Sequence, residues 1–468
     1  MITRFVLPLI LVFIISTSFI VFWELHFPSK LSYLSSPFEY QKMQIGGESI
    51  GEKTAFQNFI IPVETITNDE KIRFWTGLSL FRNPWVAAPS STKDRDGLGP
   101  LFNARSCIAC HKAGGKGRLS SIVMRMGNNT FGTDANYGEQ IQTQSILPNL
   151  TNELAPEAKI LRSTKFVYGT YADGQEYQLT QPEYRLSNLY YGALNNDSHM
   201  SPRLAPAIYG LGLLDAISDT DLLANEDRFD ANRDGISARY NRVIDVETGK
   251  SEIGRFGLKS QHPNLKQQIA AAFKHDIGIT NSLFKAESCT DNQLHCQQWA
   301  KNTKDSEVEI PNKLLNLVVD FSLFLAAPHA RKTYKSNIES GKKLFYQLKC
   351  NACHKASYIT DPNYPVTALA NQKIWPYTDL ALHDMGEVLA DKVNVFDATG
   401  QEWRTPPLWG LGIQEQINGE QKYLHDGRAR SIEEAILWHG GEAQSSQQQF
   451  KQLRQNDRQQ LIEFLRTL

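Results

Sequence analysis

Apolar and polar positions follow different periods along this chain, and the changes of period mark its segments. Phe5 to Trp23 is almost wholly apolar, broken by Pro8 and by Ser16, Thr17 and Ser18. That length approaches the roughly 20 residues a helix needs to cross a hydrocarbon core. Arg4 on the short flank favours an N-terminus left in the cytoplasm. The other reading is a cleaved signal peptide, whose apolar core is shorter and ends at a small-residue site; no good A-x-A-like site follows Trp23. Residues 1–25 are therefore expected to be a membrane anchor or signal sequence, with the rest of the chain exported either way. Residues 26–58, polar and aperiodic, are expected to be a tether.

Helical spacing begins at Asn68 and runs to Phe81, with Thr67 or Asn68 as cap and Asp69 and Glu70 in the first turn. It returns over 263–273, 312–325, 336–349, 431–439 and 457–468. Between Asn128 and Asp245 the chain is rich in turn pairs and short β-leaning runs such as Lys165 to Tyr171, which predicts some hairpin character. The chain also repeats itself. Arg203-Leu-Ala-Pro-Ala-Ile-Tyr-Gly-Leu-Gly212 parallels Arg404-Thr-Pro-Pro-Leu-Trp-Gly-Leu-Gly412. Each copy follows a similar cysteine pair, and each pair follows a Leu-Phe. Two diverged copies of one domain are expected, at 59–330 and 331–468.

Charge narrows the function classes. Lys and Arg number 49 against 50 Asp and Glu, so no basic excess exists to hold a nucleic acid. Cysteine narrows them further. Cys107-Ile-Ala-Cys110-His111 and Cys350-Asn-Ala-Cys353-His354 both fit C-x-x-C-H. Two thiols one turn apart can each add to a haem vinyl group, and the adjacent imidazole can reach the iron. A zinc site would need both pairs to meet in one tetrahedron and would leave both histidines unexplained. Two covalently bound haem c groups are therefore expected, on Cys107, Cys110, Cys350 and Cys353, with His111 and His354 as proximal ligands. The fold that goes with them is mainly α: two cytochrome c-like domains, the first with a β-containing insertion, plus one N-terminal transmembrane helix. Cys289 and Cys296 lack the motif and are expected to form a disulfide in the exported compartment.

The second axial position decides between electron carrier and enzyme, because only an open or displaceable position admits peroxide. For the second haem the candidates are His383, Met385, His425 and His439. His439 ends a helix and precedes two glycines; it is either a ligand or a C-cap histidine favoured by the helix dipole. For the first haem the candidates are Met124, Met126, His199, Met200, His262 and His275. Counting from the repeat, the first copy has no counterpart of His439, which suits an open or differently ligated first haem. Any peroxide-cleaving residues are not singled out; Arg203, Arg239 and nearby carboxylates are possible. Asp230, Asn232 and Asp234, followed by Gly235, match the start of an EF-hand-type calcium loop, although position 12 is Asn241 rather than Glu.

The stretches RDGLGPLFNARSCIACHKAGGKGR, SPRLAPAIYGLGLLDAI, GRFGLKS, PYTDLALHDMG, EWRTPPLWGLG and LHDGRARSIEEAILWHGGEA occur in that order from Arg95 to Ala443. Together they resemble the bacterial dihaem oxidoreductases described as peroxidases, some of which carry an older thiol oxidoreductase label. The resemblance extends from about Phe59 to Leu468. It implies a relation to the dihaem cytochrome c peroxidases, in which the second ligand of the C-terminal haem stands at the end of a helix that Ile432 to His439 matches. It thus implies His439 as that ligand, and a bis-His second haem. It also implies calcium between the domains, a periplasmic or membrane electron donor and a small oxidant such as peroxide. The implied location is the periplasmic side of the inner membrane. The thiol label is discounted, because sulfurs committed to haem cannot cycle as dithiols.

Overall fold

The computed structural model describes residues 59–130, 132–146, 155–303, 307–331 and 338–468. The apolar stretch expected as a transmembrane helix and the expected tether both lie outside these residues. Among the described residues no helix is long and apolar enough to cross a membrane. The described residues cluster as one compact unit.

Helix forms where helical spacing predicts it. Thr67 caps Asn68–Arg82 in a capping box, its hydroxyl accepting from the Glu70 N–H while the Glu70 carboxylate accepts from the Thr67 N–H. The other predicted helices appear as Leu265–Ala272, Asn312–Phe324, Ile338–Gln347, Ile432–Trp438 and Gln455–Leu465. Leu265–Ala272 runs straight into a π-helical turn, Phe273–Ile277, which its sequence does not announce.

The expectation of a mainly α chain is corrected. Helix accounts for 33% and strand for 17%, and the described strands form six small antiparallel sheets. The longest hairpin pairs Lys159–Thr170 with Glu176–Ser187 over 12 residues on each side. Strand also occurs well past residue 330, where Leu382–Asp384 pairs with Glu402–Arg404. The reason is local. Stretches bounded by Gly, Pro, Asn and Asp are too short to repay helix nucleation, so their backbone groups find partners across hairpins.

The repeat has a structural meaning. Asn68–Arg82 packs on Asn312–Phe324 through Phe74, Phe81 and Phe321, with ring centroids 5.2 Å and 4.8 Å apart. Ile338–Gln347 packs on Gln455–Leu465 in the same way, Phe345 lying 5.6 Å from Phe464. Both crossings need a glycine: a Cβ on Gly77 would strike the Leu317 carbonyl, and one on Gly341 the Gln460 carbonyl. The repeated Tyr/Trp-Gly-Leu-Gly then docks on the chain following each closing helix. Gly210 N–H donates to Leu325 O (2.9 Å) and Gly410 N–H to Leu468 O (2.8 Å). Cores packed this tightly resist added volume, so Gly341→Ala is expected to destabilise the folded protein by about 1–3 kcal/mol. The loss would be read as a lower thermal midpoint; an unchanged midpoint would mean that the two helices can move apart freely.

Candidate haem-binding site

Each C-x-x-C-H segment is a single 3-10 turn, Cys107–Ala109 and Cys350–Ala352. The turn is closed by His111 N–H to Cys107 O (2.9 Å) and His354 N–H to Cys350 O (3.0 Å). None of the four cysteines is in a disulfide. Burial pushes the Cys107, Cys110 and Cys350 thiols up to about 12 and raises Cys353 as well. Thiols held neutral are poor attacking groups, which argues against dithiol cycling. Cys289 and Cys296 stand apart, with Cα atoms 5.8 Å from each other, within the range a disulfide spans.

Both motif imidazoles are aimed by a backbone carbonyl. His111 Nδ1 donates to Pro206 O (2.8 Å) and His354 Nδ1 to Tyr377 O (3.0 Å). Burial, joined at His354 by the His439 ring, lowers both rings to about 4, so both are neutral at physiological pH. A neutral imidazole whose Nδ1–H is spent on a carbonyl presents the Nε2 lone pair, the form that binds a metal.

The candidates for the second motif separate cleanly. His439 caps the Ile432–Trp438 helix, its Nδ1 bonded to Ala435 O (2.7 Å), which leaves its Nε2 to offer a lone pair. The His439 ring is also one of the groups that lower His354. His383 cannot ligate, because both nitrogens are taken: Nδ1 by Glu442 (2.7 Å) and Nε2 by Asp379 (2.9 Å). Burial opposes its charge, but the Cys353 sulfur and Asp379 outweigh burial and keep it well above its ordinary value. His425 lies flat on Trp403, 3.8 Å between ring centroids and 8° between planes. Met385 holds Gln401 O through its backbone N–H.

At the first motif the methionine candidates are used elsewhere. Met124 and Met126 are buried in an apolar cluster with Tyr137, Ile141 and Ala158, and Met200 packs against it. The strand pairing that sends them there turns Arg125 to the opposite face, beside Gln140 and Ser201. His199 lines an open cavity of about 530 Å³ with Arg239 and Glu442. His262 and His275 remain. His275 Nε2 lies 3.6 Å from the Glu139 carboxylate, and His262 Nδ1 is buried with no hydrogen-bond partner.

Haem fits this donor set. Four neutral thiols and two carbonyl-anchored imidazoles await a group of matching chemistry; Arg203 Nη2, 3.8 Å from the Asp391 carboxylate, makes no hydrogen bond of its own. Arg203 and Arg404 hold equivalent places in the repeat and are both buried, as suits the carboxylates of a haem. Between the motifs the two halves interlock. Asp391 accepts from Ser201 and pairs with the fully buried Lys259 (3.0 Å), which also lies 4.4 Å from the Trp403 ring. Arg239 is spent on Glu402 and the Asp397 carbonyl.

The calcium candidates are committed to their own turn. Asp230 accepts from the Asp234 and Gly235 N–H groups, Asn232 from Asp234, and Asp234 from Ile236. Asn241 points elsewhere, bonded to Lys259 O, Val395 O and Asp397 N. Among the described residues no three His, Cys, Asp or Glu side chains gather as a metal site.

A family model described as “Di-haem oxidoreductase, putative peroxidase” matches residues 44–146 and 156–468. No curated protein matches the chain. Among solved structures, hydrazine synthase of Kuenenia stuttgartiensis, pressurised with xenon, is 13% identical, covering 84% of this chain and 92% of that one at a TM-score of 0.30. Because Asn241 is turned away from the loop and no donor set gathers there among the described residues, a divalent-cation chelator is expected to leave the thermal midpoint unchanged. A fall of several degrees that added calcium reverses would show a cation held by more oxygens than this loop supplies.

Proposed function

The chain belongs to the di-haem oxidoreductase family, and on that premise we propose that it is a periplasmic c-type cytochrome with peroxidase-like activity. Cys107 with Cys110, and Cys350 with Cys353, hold the two haems through thioethers, with His111 and His354 as proximal ligands. The haems supply one-electron redox chemistry and, where an axial position is open, a place for a small oxidant. The Cys289–Cys296 spacing suits a disulfide and hence an oxidising compartment.

The observation that carries the reading is the asymmetry between the halves. The second half offers a further carbonyl-anchored imidazole, His439, whereas Met124, Met126 and Met200 of the first half are locked in a separate apolar cluster. The His354/His439 site is thus suited to receive electrons from a periplasmic donor, and the His111 site to pass them to peroxide. Pro206 and Tyr377 fix the proximal rings, and burial excludes water from them.

A second reading, a carrier with both irons doubly ligated, is favoured by one observation: His262 Nδ1 is buried and unpartnered. His439→Ala tests the electron-entry half of the proposal. Its second haem is expected to lose its low-spin EPR signal and gain a high-spin one. An unchanged low-spin signal would remove His439 from the iron.

A further inference from the structure

The long hairpin of Lys159–Thr170 and Glu176–Ser187 starts in the first half of the chain and ends on the second. At its base Ile160, Tyr184 and Leu186 pack against the Met124 and Met126 cluster. Its far end grips the helix that His439 caps. The Thr180 N–H donates to the Glu434 carboxylate, and the Tyr171 hydroxyl donates to Glu433 (2.8 Å). Arg430, just before the helix, donates its N–H and its Nε to the other Glu434 oxygen (2.8 Å each) and an Nη2 to Gln178 O (2.8 Å). Behind this grip stands Arg458, which is 1% exposed. It lies 3.7 Å from the Tyr171 ring and bonds Asp173 (3.0 Å) and Gln175 (2.6 Å) at the hairpin tip.

Carboxylates in a first turn favour any helix through its dipole, which would explain Glu433 and Glu434 without the hairpin. It does not explain why the Glu434 side chain is only 5% exposed and holds three N–H groups from outside the helix. An ionised carboxylate is buried at large cost unless such donors surround it. Ser431 already caps the helix, its hydroxyl accepting from the Glu434 N–H (3.0 Å). A helix of seven residues has few internal bonds with which to hold itself. Its direction is therefore set by what grips it, and Glu434 precedes His439 by little more than one turn.

We propose that Glu434 and Tyr171 are positioning residues for the second haem: through them the hairpin of the first half steadies the Ile432–Trp438 helix and keeps His439 on the iron. The proposal rests on the reading of His439 as that haem's axial ligand. It makes ligation at one haem depend on a segment of the half that carries the other.

The test uses the reduced, haem-loaded protein, mixed with carbon monoxide and followed optically. Carbon monoxide enters a doubly ligated ferrous haem only as fast as the protein ligand leaves. His439→Ala identifies the phase that belongs to the second haem by turning it fast. Glu434→Gln is expected to speed that phase on the order of tenfold, through loss of charge-assisted bonds at a buried site. Tyr171→Phe, which removes one hydroxyl, should speed it about threefold even if Glu434→Gln fails to fold. Tyr364→Phe is the control. It removes another hydroxyl that crosses between the halves, onto the Asp215 carboxylate (2.6 Å) rather than onto the His439 helix, and should leave the phase unchanged. Parent rates in both Glu434→Gln and Tyr171→Phe would overturn the proposal, and so would an equal acceleration in Tyr364→Phe. If His439→Ala leaves the trace as in the parent, the reading of His439 as a ligand falls and the proposal with it. If His439→Ala speeds a phase that Glu434→Gln and Tyr171→Phe leave alone, only the grip falls.

Discussion

A buried imidazole whose Nδ1–H is held by a backbone carbonyl has one nitrogen left to offer. The rest of this structure is arranged around that constraint. Pro206 and Tyr377 impose it on the two motif histidines, and Ala435 imposes it on His439. Burial keeps the rings neutral, so the remaining lone pair is available throughout the physiological range. His383 shows the opposite case: two carboxylates occupy both of its nitrogens, and a residue that looks like a ligand in sequence is removed from contention.

The helix crossings at Gly77 and Gly341 and the docked glycine turns build the same cradle twice. What differs is the material in front of each motif. The second has an imidazole at a helix end. The first has a sheet whose alternation sends methionines into an apolar core and an arginine the other way. One repeated framework can thus carry two different surroundings, because the cradle is built by backbone contacts and its lining by a few side chains. The buried Lys259–Asp391 pair and the contact of Lys259 with the Trp403 ring fasten the halves together, and such elements lose much when one partner is removed.

Much of this was legible in the chain itself. The cap at Thr67 or Asn68, the helical spacing around Phe345 and the duplicated Arg-to-Gly segment pointed to elements that the structure contains. The balance of helix and strand was not legible, because two- and three-residue strands such as Leu382–Asp384 carry no period of their own and form only when a partner is near. The first-motif candidates were half legible. Met-Arg-Met at 124–126 already alternates, but the π-helical turn that carries His275 depends on packing. The calcium loop was recognised as a pattern, yet its twelfth position had turned to hold Lys259 and Val395.

The most direct test of the account is the intact mass of the protein purified under denaturing conditions from cells able to mature c-type cytochromes. Four thioether-forming sulfurs predict a mass increased by two haems, reduced to one when either motif has both cysteines replaced by serine. A mass equal to that of the polypeptide alone, with haem lost on denaturation, would contradict it.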